Sequence, residues 1–217
     1  MYQLYYYSGK ANLAPHIVLE ELGVAHELVL VDFPENGHKS AEYLKLNPSG
    51  RLPVLIDGDL VLYEAAAVCL HLVDSHPQAN LAPPVGTPQR AQFYKWLIYL
   101  TNTLQAEILT YNYSMRLTND ASAAEMVKRH AELRIGAMLD LIENALAENA
   151  AVNSGSYLLG ADYTAVDAYL LMLARWTRNL THPARARPHF GLYLDRLAAR
   201  PAVRRAFSAE GLAAPYC

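Results

Sequence analysis

The sequence predicts a mixed α/β domain followed by an all-α domain, and three observations carry that prediction. Short alternating or aromatic-rich runs bounded by turn residues are confined to the first third of the chain. A segment dense in proline and glycine, from His76-Pro77 to Thr87-Pro88, follows them. Beyond it the hydrophobic pattern is helical to the end. The expected boundaries are 1–77 for the first domain, 78–88 for a linker and 89–217 for the second domain.

The elements follow in order. Tyr2 to Tyr7 is aromatic-rich and reads as a strand. Leu13 to Leu22 has a helical pattern and stops at Gly23, and His26 to Val31 alternates as a second strand. Ser40 to Leu46 is a short helix ended by Asn47-Pro48. Val54 to Ile56 and Leu60 to Tyr63 flank Asp57-Gly58-Asp59, a hairpin signal. Glu64 to Ser75 reads as a helix with Ala66, Val68, Leu70 and Leu72 turned inward. The order βαβα–ββα is that of a thioredoxin-like domain. In the second part, Gln89 to about Arg116 and Ala121 to about Ala150 read as long helices. The apolar run from Thr164 to about Arg178 should be central. Phe190 to Ala199 and Ala202 to Phe207 complete a helical bundle. Thr164 and Asp167 have the spacing of a capping box, a structural motif.

Bulk properties exclude several classes. The 217 residues are 53% hydrophobic and 18% charged, which suits a folded globular protein. The net charge of −3 argues against non-specific nucleic-acid binding. Its distribution is uneven: residues 1–80 carry 4 Lys/Arg and 10 Asp/Glu, whereas 81–217 carry 14 and 11. No apolar run reaches the length of a membrane span, and no secretory signal opens the chain. Two cysteines, Cys69 and Cys217, fit a reducing compartment, so a cytoplasmic location is expected.

The stretch Asn47 to Ile56, followed by Leu62-Tyr63-Glu64-Ala65-Ala66-Ala67, concentrates the chemistry. Pro53 cannot donate to a sheet ladder and belongs at a strand start or an edge. The backbone of Leu52 is then free to pair with an extended peptide-like ligand. Glu64 offers a negative charge at a helix start, where a ligand's ammonium group could bind. The same residues also fit an ordinary turn before an edge strand, with Glu64 serving only the helix dipole.

These residues, together with Thr164-Ala165-Val166-Asp167, resemble the cytosolic glutathione transferase family. The opening Tyr5-Tyr6 to His16-Ile17-Val18-Leu19 and the ending Glu210-Gly211-Leu212 are similar to its bacterial beta class. The match spans nearly the whole chain. It implies a homodimer that binds glutathione as co-substrate, with no permanently bound cofactor and no metal. The reaction implied is conjugation of the glutathione thiolate to small hydrophobic electrophiles. Glutathione-dependent disulfide or peroxide reduction is the alternative, as is a catalytically quiet binding protein.

The resemblance also assigns residues. Leu52 would pair with the cysteinyl backbone beside a cis Pro53, and Glu64 would take the γ-glutamyl ammonium. Ala65 replaces a common serine, but its N–H can still hold the γ-glutamyl carboxylate. His38 or Lys39 would meet the glycine carboxylate, and Asn102 would reach a partner subunit's glutathione. Ala11 stands where the beta class usually has cysteine, and Asn12 where it usually has serine. Two roles fit Asn12: a thiolate donor, and an N-cap for the helix starting at Leu13. Tyr6 is a second candidate donor. Ala11, Gln105, Leu109, Tyr113 and Trp176 would line the electrophile site, expected between the domains.

Overall fold

The computed structural model describes residues 1–153 and 157–214, so Cys217 lies outside the described residues. The chain forms two compact units, Met1–Ala82 with the segment from Leu197 onward, and Pro83–Arg196. The expected second domain therefore loses its last helix to the first unit.

The first unit holds a four-stranded sheet of order β2-β1-β3-β4, from β1 Tyr2–Tyr6, β2 His26–Leu30, β3 Val54–Asp57 and β4 Leu60–Tyr63. β1 runs parallel to β2 and antiparallel to β3, and β3–β4 is the expected hairpin. The parallel pair requires a crossover, supplied by α1, Leu13–Leu22. Gly23 ends α1 in the left-handed conformation, at φ 65°, and returns its N–H to the Leu19 carbonyl. α2, Ala41–Leu46, is capped by Ser40, whose hydroxyl accepts the Tyr43 N–H. α3 covers Ala65–Ser75 and α9 covers Pro201–Ala209.

Strand alternation divides this unit's apolar residues between two layers. Leu4 and Leu55, partners across β1 and β3, are fully buried on one face. Tyr5 and Val54 occupy the other, in a cluster with Val31, Tyr43 and Leu52. In α3 the inward residues are Ala65, Val68, Cys69, Leu72 and Val73. The expected set of Ala66, Val68, Leu70 and Leu72 steps by two, the period of a strand. A helix buries positions three and four apart, so Ala66 and Leu70 fall on its flanks.

In the second unit, the first long helix is a composite run. α4, Pro88–Ile98, passes through a π-helical stretch, Tyr99–Gln105, into α5, Ala106–Asn112. α6 spans Ala121–Asn153, α7 spans Ala165–Trp176 and α8 spans Pro188–Ala198. α7 is central, with every residue from Ala165 to Ala174 buried. At its start Asp167 accepts the Thr164 N–H at 2.7 Å, the expected capping box. The same carboxylate accepts from the Leu158 N–H and the Tyr193 hydroxyl. Burial raises the Asp167 carboxyl above the ordinary carboxylate range, and its four hydrogen-bond donors pull the other way.

Among the described residues, no helix is long and apolar enough to cross a membrane.

Candidate functional site

Three pieces of the first unit carry the polar groups: the turn between β1 and α1, the approach to β3, and the start of α3.

The turn is held from beneath by a carboxylate from the far end of the chain. Glu210 is buried, with its side chain inaccessible, and accepts from the Gly9 N–H at 2.8 Å and the Asn12 amide at 2.9 Å. His16 Nδ1 lies 2.9 Å from the same carboxylate. The Ser8 hydroxyl donates to the Glu210 carbonyl. Asn12 also accepts the Tyr7 N–H through Oδ1 at 3.2 Å. Such a network fixes the turn because each buried partner would otherwise be left unpaired.

This placement corrects the expected use of the Asn12 side chain. Asn12 stands at the N-cap position of α1, but its backbone is already right-handed helical and its side chain makes no capping bond. Nor is it presented to a ligand as a thiolate donor: the residue is fully buried, its amide donates to Glu210 and its Oδ1 accepts the Tyr7 N–H. Ala11, the next residue toward the surface, is half-buried at the opening of α1. Its backbone N–H has no partner among the described residues. Tyr6 is half-buried, and its hydroxyl has no hydrogen bond among the described residues. Tyr5 points to the opposite face and packs near Tyr43.

The approach to β3 is as expected. The Leu52–Pro53 peptide is cis, and both residues are buried. The Arg51 carbonyl is satisfied by the Tyr43 hydroxyl and the Asn47 amide, each at 2.7 Å. The Leu52 backbone has no partner among the described residues. A free strand-like donor and acceptor is thus available beside the turn.

At the start of α3, Glu64 takes φ 72° and ψ 110°, a conformation costly for a residue with a side chain. Its side chain is exposed and has no partner among the described residues. The helix start has no side-chain cap and no acidic residue in its first turn. Ala65 is buried there. An exposed carboxylate beside uncapped amides suits a ligand carrying an ammonium and a carboxylate on one carbon.

His38 and Lys39 lie in a short 3-10 turn, Gly37–Lys39. The His38 ring is buried and stacks on Phe33 at 4.1 Å, while Lys39 is exposed. Lys10 sits over the other ring contact, with Nζ 4.5 Å from the Phe33 centroid. Burial lowers the His38 pKa, helped by Lys39 and then Lys10. His38 is therefore a neutral platform, and Lys39 and Lys10 are the cations available to an anion. Lys10, Phe33, His16 and Glu210 were given no role by the sequence reading. Phe33 and Lys10 left no pattern to read, whereas Glu210 stood in a stretch noted only for its resemblance.

The other candidates lie in the second unit. Asn102, exposed, and Gln105, half-buried, both fall in the π-helical stretch, a distortion frequent at functional sites. Gln105 Oε1 accepts the Tyr169 hydroxyl at 2.5 Å. Leu109 is half-buried on α5, Trp176 half-buried at the end of α7, and Tyr113 exposed with Arg116 over its ring.

Residues 2–74 match the family described as "Glutathione S-transferase, N-terminal domain". The chain is 30% identical over 215 residues to glutathione S-transferase GstA of Escherichia coli O157:H7, covering 97% of this chain and 99% of that protein. A solved glutathione transferase homologue from Sulfitobacter, with bound glutathione, superposes with a TM-score of 0.86 at 26% identity, covering 98% and 99% of the two chains. The bacterial beta class glutathione S-transferase of Sphingomonas chungbukensis gives 0.81 at 29% identity, covering 97% and 100%. With the thioredoxin-like sheet, the free Leu52 backbone and the strained Glu64 in place, the chain belongs to the glutathione S-transferase family.

Proposed function

We propose that this enzyme binds glutathione on its first unit and conjugates the thiolate to small hydrophobic electrophiles. The observation that carries the reading is the combination, among the described residues, of a free Leu52 backbone with an unpartnered Glu64 at the start of α3, which has no side-chain cap. The Leu52 N–H and C=O take the cysteinyl residue as a strand neighbour would. Glu64 takes the γ-glutamyl ammonium, and the Ala65 N–H takes its carboxylate. Lys39, with Lys10 beside it, meets the glycine carboxylate, and Asn102 reaches the glutathione of a second copy in a homodimer.

The sulfur then falls at the turn before α1. A free thiol has a pKa of about 8.5, and lowering it by two units takes about 2.7 kcal/mol of preferential thiolate stabilisation. The Ala11 N–H, the start of α1 and the Tyr6 hydroxyl supply it, with Glu210 and Asn12 holding the turn in shape. The thiol proton leaves to solvent. The sulfur lone pair forms the S–C bond as the leaving group departs with its electron pair. For the electrophile, the family resemblance implies Ala11 on the first unit and Gln105, Leu109, Tyr113 and Trp176 on the second. Glutathione supplies the nucleophilic thiol in this scheme: Ala11 has none, and among the described residues the one cysteine, Cys69, is fully buried with its pKa pushed up by burial. A cytoplasmic setting belongs to the same reading, as the family resemblance implies.

The test is turnover of glutathione with chlorodinitrobenzene, compared with hydroxyethyl disulfide. Conjugation without disulfide turnover supports the proposal. Turnover of the disulfide alone assigns the enzyme to reduction, with two glutathione molecules supplying both thiols. Tyr6→Phe should raise the pKa of the bound thiol by about one unit, a change of about 1.4 kcal/mol. An unchanged pH–rate profile would remove Tyr6 from the mechanism.

A further inference from the structure

We propose that the first unit also carries a structural site for a zinc-type divalent cation, built from His16 Nε2, the Glu20 carboxylate and His26 Nε2. One ligand atom from each of the three residues lies within 4.8 Å of the other two. His16 and Glu20 are four residues apart on α1 and so share a helix face. His26 is the first residue of β2, brought back to that face by the turn at Gly23.

The second observation is an orphaned nitrogen. His16 is fully buried, and its Nε2 has no hydrogen-bond partner among the described residues. Buried polar atoms in native proteins nearly always have one. The nearest aromatic neighbour is the His26 ring, edge-on at 5.8 Å, which offers Nε2 no conventional donor.

Both rings are oriented as metal ligands are. His16 Nδ1 faces the Glu210 carboxylate at 2.9 Å, and His26 Nδ1 faces the Val24 carbonyl at 2.9 Å. Each Nδ1 must carry the hydrogen to satisfy its acceptor, which leaves each Nε2 with its lone pair. A carboxylate or a backbone carbonyl behind a ligating imidazole is the usual support of a zinc site. His26 Nε2 is already 3.7 Å from Glu20 Oε1. Zinc bonds of 2.0–2.2 Å place tetrahedral ligands about 3.4 Å apart, so only a modest inward shift of the half-buried Glu20 and His26 is needed. The second Glu20 oxygen is held by Arg205, which also donates to the Glu20 carbonyl. Glu20 and Glu210 outweigh that one guanidinium, and Arg200 is neutralised by Glu21. Water completes the fourth position.

Such an ion ties α1 to β2. Through His16 and Glu210 it also stiffens the turn before α1, without touching the residues assigned to glutathione. Its role is structural, and binding to the folded chain raises stability by linkage.

The test uses the full, untagged, chelator-stripped chain carrying Cys217→Ser, so that the terminal thiol cannot capture metal. Zinc(II) is titrated in competition with a chromogenic chelator. The expected result is one equivalent per chain, with a raised melting temperature. His26→Gln and Glu20→Gln should each weaken zinc binding at least about ten-fold. His71→Gln, which removes a partly buried His–Asp pair, should leave it unchanged. In the unsubstituted chain, zinc should shift the imidazole resonances of His16 and His26 and spare that of His71. That readout stands even if a variant folds poorly. No uptake, uptake unaffected by His26→Gln, or resonances of His16 and His26 that do not move would overturn the proposal.

Discussion

Each unit is built around a fully buried carboxylate that fastens a helix start, and the two differ in how they are reached. Asp167 caps its own helix: its donors are Thr164 three residues back, Leu158 nine residues back and the Tyr193 hydroxyl 26 residues on. Glu210 fastens a turn from the other end of the chain, with Gly9, Asn12 and His16 between 194 and 201 residues away. Asp167 is surrounded by neutral donors, whereas Glu210 faces an imidazole. Asp167 organises the helical core. Glu210 organises the turn that, in the proposed function, presents the Ala11 amide to the thiolate. The same chemistry thus serves stability in one unit and, in the proposed function, stability and the site together in the other.

The largest expected effect separates those uses. Asp167→Ala and Glu210→Ala each strand several buried donors, and each should lower the unfolding free energy by about 3 kcal/mol or more in urea titrations. Only Glu210→Ala should also raise the glutathione dissociation constant of the protein that remains folded. Equal weakening by Asp167→Ala would erase the distinction.

Glu64 gives a smaller effect of opposite sign. Its left-handed φ of 72° costs about 1–3 kcal/mol, so Glu64→Gly should stabilise the fold by about 1 kcal/mol. The same change should weaken glutathione by about ten-fold or more, because the ammonium loses its carboxylate. A variant that gains no stability would show that the backbone is relaxed there.

The smallest effect is a pH dependence. The folded pKa of His38 lies below its unfolded value of about 6.5, so the unfolded chain binds more protons in that range. Its contribution is intact above about pH 6.5 and is lost as pH falls through the depressed folded value. His38→Phe should flatten stability against pH over that window and leave the curve above it unchanged.

The contrast between the carboxylates also explains what the sequence could reveal. Local patterns were legible: α1 ends at Gly23, β4 spans Leu60–Tyr63, and Asp167 caps α7, all as expected. The turn before β3 at Leu52-Pro53 and the helix-start position of Glu64 were legible too, although the residues alone left a binding edge and an ordinary turn equally open. Asn12 was not, since the choice between cap, donor and buried strut depends on Glu210, which approaches from 198 residues away. The inward face of α3 was misassigned by a period, not by composition. The π-helical stretch at Tyr99–Gln105 left no periodicity that sets it apart from the α-helical turns on either side.

The most direct test is a calorimetric titration of the full chain with reduced glutathione near neutral pH, repeated with Glu64→Gln. The account predicts saturable binding at one site per chain in the micromolar to low-millimolar range, weakened about ten-fold or more by Glu64→Gln. No binding, or binding that Glu64→Gln leaves unaltered, would contradict it.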